Sequence, residues 1–471
     1  MITDRTRRWR WRGLAAAVGL LAGVLGTATA ALAAAPLLTR YPYLTDMTPT
    51  GVTVNFATDT QSPHPVVQYG LATDSCTRST AAVTAHKMTV GTLSEYQYTA
   101  VLTGLGPATR YCYRLQQSGG DLLGTDPSPT FTTFPTPGTA ASFSFAVFGD
   151  WGSVDDTGAN PDLANVMARV AGSGASFLVT TGDNAYPGGS QTSYGDLQQT
   201  GAGTSAVFGP LFWKQVGRSI PAFLPMGNHG MSSGSSYLVD WPQSATVAAS
   251  GGRYQLDTYC CAEGSASTSA PSVWYAFTYG QARFYVLQAA WGNSNVGTGS
   301  IYSVDFDYHW SPSSPELQWL QSDLAANAGT PLKFAFLHFP FYSDSRTETS
   351  DPFLQGASSL EGLLASSGVQ VAFSGHTHFY ERNVPVTGSL TSYVTGGGGA
   401  PAEPVDTCGA YDAYAIGWSY SRNRGSGCRA TPPASVDHVF HFLLVSVSGT
   451  TVTVTPTDEL GRTFDTRVYQ P

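Results

Sequence analysis

The sequence predicts an α/β domain preceded by an all-β sandwich. Two patterns predict it. Up to about residue 135, short runs alternate apolar and polar side chains and are broken by Gly, Pro, Asp and Thr. From residue 143, apolar strands alternate with segments of helical periodicity. The composition agrees: of 471 residues, 12% are charged and 42% hydrophobic, with 52 Gly, which suits strands and loops better than long helices.

Residues 1–35 read as a secretory signal peptide rather than as part of the fold. "RTRRWRWRG" is a basic start, "LAAAVGLLAGVLG" an apolar stretch and "ALA" at 31–33 a small-x-small cleavage site. The Arg7-Arg8 pair leaves the choice between a general and a twin-arginine export signal open. A leader with five Arg and one Asp, once removed, leaves 18 basic and 31 acidic residues, net −13. No basic stripe remains for a nucleic acid backbone. A second long apolar stretch is lacking as well, so the expected mature protein is secreted or extracytoplasmic, with no membrane contact. Its oligomeric state leaves no mark in the sequence.

In 36–135, "TGVTVNFAT", "PVVQYG", "EYQYTAVLTGL", "TRYCYRLQQ" and "PTFTTFP" are the expected strands of a β-sandwich. "LTGLGPATRYCYRL" resembles the late strands of a fibronectin type III domain. "FPTPGTAAS" then reads as a linker.

The second domain is expected over 143–471. "FSFAVFGD" and "ASFLVTTGD" are strands ending in Gly-Asp, with the helix "PDLANVMARVAGSG" between them. "PAFLPMGNH" ends in Asn-His. "SPELQWLQSDLAAN" is a helix with Ser314 as N-cap and Pro315 at its first position. "PLKFAFLHF" ends in His, "SLEGLLASSG" is a helix, and "VQVAFSGHTH" ends in two His. "VFHFLLVSVSGTTVTVTPTD" is a hairpin around Gly449 that adds strands to this domain.

Ligands in α/β sheets gather beyond the carboxyl ends of strands. This chain sets Asp150, then Asp183 and Tyr186, Asn228 and His229, His338, and finally His376 and His378 at those ends. A single Gly-Asp turn or strand-end His is ordinarily structural. Two carboxylates, an amide, a phenol and four imidazoles at five successive ends are a two-metal set.

Six cysteines in an exported chain favour disulfides. Cys76–Cys112 and Cys408–Cys428 are the simplest pairs. Cys260 and Cys261 form either a vicinal bridge or cross-links elsewhere.

"GD" at 149–150, "GDNAY", "GNHG", "LHFP" and "SGHTH", in this order, resemble the five blocks of the calcineurin-like metallophosphoesterases. "GDWG", "GDNAY" and "SGHTHFYERN" are similar to those of purple acid phosphatases. The resemblance implies a four-layer α/β/β/α domain. It implies Fe³⁺ on Asp150, Asp183, Tyr186 and His378, and a divalent ion (Fe, Zn or Mn) on Asp183, Asn228, His338 and His376, with Asp183 bridging. It implies hydrolysis of small-molecule phosphate monoesters by a metal-bound hydroxide, with His229 protonating the leaving group. The alternative for Tyr186 is packing within its loop.

Two departures from the family pattern bear on substrate and pH optimum. Gly230 stands where relatives carry an acid that orients the His, so His229 needs another orienting group. "SDSRTETSDP" lacks the additional His of plant-type relatives, and Arg346 is its only cation. Arg346 is either a phosphate clamp or a solvated loop residue. Asp305, Asp307 and His309 are expected in a polar loop, with the mouth of the site as the alternative. "TGGGGA" is expected to let the backbone pass near the metals. Two other functions compete: a phosphodiesterase or nucleotide hydrolase on the same metal core, and an exported binding or adhesion protein with a vestigial site.

Overall fold

The computed structural model describes residues 36–118, 120–155, 159–198, 207–209, 213–231, 234–259, 268–289, 308–352 and 354–470. The expected leader, Cys260, Cys261, Asp305 and Asp307 lie outside them.

Two large sheets face each other. The first runs Arg467–Tyr469, Thr451–Asp458, His441–Ser448, Phe143–Phe148, Leu178–Thr180, Ala222–Phe223, Leu38–Thr45, Gly51–Thr58, Leu93–Thr103, Thr84–Val90. The second is centred on Ala282–Val286, Leu332–Phe336, Val371–Ser374 and Thr391–Thr395, which pair in parallel. Phe143–Phe148, Leu178–Thr180 and Ala222–Phe223 are the parallel centre of the first. These strands are buried along almost their whole length, and so read as unbroken apolar runs.

A layer of phenylalanines joins the sheets. The Phe145 ring lies 5.2 Å from Phe284 and 5.4 Å from Phe334, both edge-on. Phe177 stacks on Phe145 at 5.2 Å. Edge-to-face and offset pairs add about 0.5–1.5 kcal/mol each beyond burial.

Helices cover the outer faces. Pro161–Gly172 begins at Asn160, whose side chain accepts from Leu163 N, and buries Leu163, Val166, Met167 and Val170. Pro315–Ala326 starts at the predicted Ser314 cap and sets Leu320 and Leu324 against the back of the second sheet, with Leu360 and Leu364 of a second helix, Leu360–Ser366. Such a cap contributes about 1 kcal/mol. The result is a mixed α/β fold of helix, sheet, sheet and helix layers behind an all-β N-terminal part.

The N-terminal strands do not stand apart. Leu38–Thr45 pairs in parallel with Ala222–Phe223, so one hydrogen-bonded sheet runs from the front strands into the α/β part. Arg40 is fully buried there and meets Asp240 at 2.8 Å. It also donates to Gly195 O and Gln191 Oε1. Removing one member of such a pair costs about 3–5 kcal/mol, because the other charge stays buried alone. The C-terminal hairpin turns at Gly449 and lays His441–Ser448 antiparallel to Phe143–Phe148.

Cys76–Cys112 and Cys408–Cys428 are disulfide-bonded. No described helix is long and apolar enough to cross a membrane.

Candidate metal centre

The strand ends converge. Tyr186 Oη lies 3.3 Å from Asp150 Oδ1, 3.1 Å from Asp183 Oδ2 and 3.1 Å from His378 Nε2. His378 Nε2 is 3.6 Å from Asp150 Oδ1. On the other side of Asp183, Oδ1 is 3.3 Å from His338 Nε2, and that nitrogen is 2.7 Å from Asn228 Oδ1. Asp183 thus turns one oxygen to Tyr186 and the other to His338. The His376 ring stands 5.1 Å from the His338 ring, and its Nε2 is buried without a hydrogen-bond partner.

Backbone geometry brings these groups together. Asp150, Asp183 and His376 adopt positive φ of 55°, 44° and 71°, tight turns that aim side chains off the strand ends. Gly182 has φ 98°, and a Cβ there would stand 2.5 Å from His338 Nδ1. A Cβ on Gly375 would stand 2.3 Å from Asp150 Oδ2, so only glycine lets these strands approach. The "TGGGGA" turn runs alongside, with the Ala400 amide donating to Asp150 O at 2.7 Å.

Three backbone carbonyls orient the imidazoles. His338 Nδ1 donates to Thr181 O at 2.8 Å, and His378 Nδ1 donates to Pro401 O at 3.0 Å. Both rings therefore present Nε2 to the cluster, the usual arrangement behind metal-binding histidines. His229 Nδ1 donates to Pro187 O at 2.6 Å, so this carbonyl takes the part of the acid that Gly230 replaces. Gly230 itself has φ 154°, and a Cβ on Gly189 would lie 2.6 Å from its Cα. The His229 ring is 4.5 Å from that of Tyr186, and its amide donates to Asp183 Oδ1 at 2.8 Å.

Electrostatics fit a cation. Burial, then the Asp183, Asp150 and Glu348 carboxylates, push the Tyr186 phenol well above its ordinary value. Burial opposes a charge on His338, but the Asp183 carboxylate outweighs it and raises the imidazole to about 9. His338 then donates from both nitrogens, to Thr181 O and Asn228 Oδ1. A metal ion held here would replace the proton at Nε2. Burial, then His338, holds His376 well below the ordinary imidazole value, which keeps its orphaned Nε2 a neutral donor. The donor set of carboxylates, amide, phenol and imidazoles fits ions of the iron, zinc and manganese type.

Two acids flank the centre that no motif singled out. Glu403 Oε2 accepts from the His378 amide at 3.3 Å, and the Glu403 amide donates to His378 O at 2.9 Å. Burial, then Glu403, pushes the Glu348 carboxyl up to about 11. Arg346 is exposed, and only its backbone amide has a partner among the described residues, Asp406 Oδ2 at 3.3 Å. His309 is buried against Glu316 Oε2 at 2.6 Å.

A model of the calcineurin-like phosphoesterases matches residues 143–380, half of the chain and all of the strand ends that converge here. The chain belongs to this family. Residues 41–133 match the N-terminal domain of purple acid phosphatases, so this phosphoesterase is of the purple acid phosphatase kind. It is 24% identical to an acid phosphatase of Aspergillus ficuum over 62% of this chain and 61% of that one. It is 25% identical to purple acid phosphatase 23 of Arabidopsis thaliana over 65% and 63%. The alignments thus span less than two thirds of these relatives. A solved purple acid phosphatase from yellow lupin (Lupinus luteus) seeds shares the fold, with TM-score 0.62 and 18% identity over 92% of this chain and 74% of that one. Membership implies a binuclear metal centre.

Proposed function

We propose that this phosphoesterase is an exported phosphatase of the acid phosphatase type that hydrolyses phosphate monoesters at two metal ions. Fe³⁺ is assigned to Asp150, Asp183, Tyr186 and His378. A divalent ion, Fe, Zn or Mn, is assigned to Asp183, Asn228, His338 and His376. The observation that carries the reading is Asp183, with Oδ2 3.1 Å from Tyr186 and Oδ1 3.3 Å from His338, as a bridging carboxylate requires. The phenol supports the ferric assignment, since phenolate is a hard anionic ligand.

When bound, such ions clamp the phosphoryl group and make water nucleophilic at moderate pH. The chain's own residues do the rest. Thr181 O and Pro401 O hold the imidazoles of His338 and His378 in ligating orientation. Pro187 O holds His229 by Nδ1, leaving Nε2 to carry the proton that the leaving alkoxide takes. Arg346, whose side chain has no partner among the described residues, is the cation assigned to the non-bridging oxygens. The two disulfides support an extracytoplasmic location. Residues 36–135 and 143–471 are assigned as two domains that share one hydrogen-bonded sheet.

A second reading, a diesterase on the same core, has one observation in its favour. The Glu403 carboxylate lies beside His378, where negative charge disfavours a dianionic monoester more than a monoanionic diester. Turnover on alkyl and aryl monoesters, matched diesters and nucleotides decides. Faster turnover of diesters would reject the monoesterase.

A further inference from the structure

A second cluster of oxygen donors lies apart from the proposed dinuclear ligands. Asp344 is on the segment that follows His338, Glu381 and Asn383 are on the strand Tyr380–Asn383, and Asp412 opens the strand Asp412–Ser419. Asn383 and Asp412 are direct cross-strand partners, so their side chains share one face; Glu381, two residues before Asn383, shares it too. Ligand atoms of Asp344, Glu381 and Asp412 lie within 4.8 Å of one another. All four residues are 0–1% exposed.

Most of their oxygens are short of donors. Both carboxylate oxygens of Asp344 and both of Asp412 have no hydrogen-bond partner, nor do Glu381 Oε1 and the amide Oδ1 of Asn383. One backbone amide, that of Gly409, is placed to donate to Asp344 and Asp412; other polar groups are engaged nearby. The Asp344 amide donates to Glu381 Oε2 at 3.0 Å, and Thr407 donates to the Asp344 carbonyl. The Tyr411 hydroxyl donates to Ser343 O. Arg429, exposed on the next strand's end, acts on Asp412 only through space. Three buried carboxylates facing each other with so few donors are costly. Either they retain protons or a cation neutralises them. The neutral Asn383 oxygen, unpartnered and on the same face, argues for the cation: a proton-sharing carboxyl cluster has no use for another bare acceptor.

We propose that Asp344, Glu381, Asn383 and Asp412 form a calcium site distinct from the dinuclear centre. The donors are all hard oxygens, with no imidazole or thiolate, which selects Ca²⁺ or Mg²⁺ over zinc and iron. Calcium takes 6–8 oxygens, whereas Mg²⁺ keeps several waters and suits a site supplied entirely by protein poorly. The ion would tie the segment after His338 to the strand after His378, and so brace two ligand-bearing segments from behind.

The test uses the full exported chain, treated with EGTA and then supplied with Ca²⁺ at about 1 mM, where extracytoplasmic calcium modules bind. Equilibrium dialysis with radioactive calcium is expected to find one ion per chain, with a rise of a few degrees in the thermal midpoint. Mg²⁺ is expected to give a smaller rise. Asp412→Asn should abolish both effects. Asn383→Ala keeps all three carboxylates and should weaken calcium binding about tenfold, and it decides the matter if Asp412→Asn does not fold. Iron and zinc, measured in the same samples, separate this site from the dinuclear one. No calcium bound at about 10 mM, near neutral or alkaline pH, would mean the carboxyls hold protons and would overturn the site. Calcium binding undiminished in both variants would place the ion elsewhere and overturn it equally.

Discussion

The Tyr186 oxygen and His378 Nε2 stand 3.1 Å apart although 192 positions separate them in the chain. Two strand ends of different sheets bring them to one point, and Asp150 and Asp183 meet the phenol there too. If the phenol loses its proton and its oxygen binds Fe³⁺, the purified protein absorbs visible light by charge transfer. Tyr186→Phe is expected to bleach that absorption with unchanged circular dichroism. A colourless wild type with full activity would reject the ferric assignment and leave the hydrolase reading standing.

His229 is predicted to carry a proton and to hold no metal. His229→Ala should keep both ions and lose about 10²–10⁴-fold in turnover of an alkyl phosphate. On the ester of an acidic phenol, whose anion leaves readily, the loss should shrink sharply. Equal losses on both substrates would make His229 a phosphate binder, and loss of metal would make it a ligand.

A pH effect on stability is expected far from the centre. Glu95 is 1% exposed, accepts from Thr39 Oγ1 at 2.7 Å, and its other oxygen has no partner. Burial, then the neighbouring Asp196, pushes its carboxyl up to about 8. The folded chain therefore holds a proton that the unfolded chain releases near its ordinary 4.5. Between these values the native state binds more protons, so stability falls as pH rises and levels off above about 8. Glu95→Gln should flatten that decline and raise the thermal midpoint most at about pH 8. An unchanged pH profile in the variant would contradict the assignment.

The convergence of the candidate ligands was legible because each lies directly after an apolar strand, where sequence order and spatial order coincide. The caps at Ser314 and the Gly449 turn were legible for a similar reason, since both are local. The groups that orient the histidines were not. Thr181, Pro187 and Pro401 act through backbone carbonyls, which no residue type announces. Glu348 and Glu403 come from distant loops, and each alone reads as a solvated acid. The pairing of Thr45 with Ala222 was hidden too, because a parallel contact between remote segments leaves no local pattern. Arg346, the one cation of "SDSRTETSDP", is exposed, while Glu348 and Glu403 beside the candidate ligands are acids.

Metal analysis of the purified protein beside its Asp183→Asn variant tests the central claim most directly. Asp183 is the one carboxylate that faces both Tyr186 and His338. The wild type should contain two transition-metal ions per chain, at least one of them iron. The variant, still folded by circular dichroism, should lose most of both and drop in turnover by several orders of magnitude. A wild type that binds one ion or none under saturating iron and zinc, or a variant that retains both ions and near-normal turnover, would contradict a bridged two-metal centre.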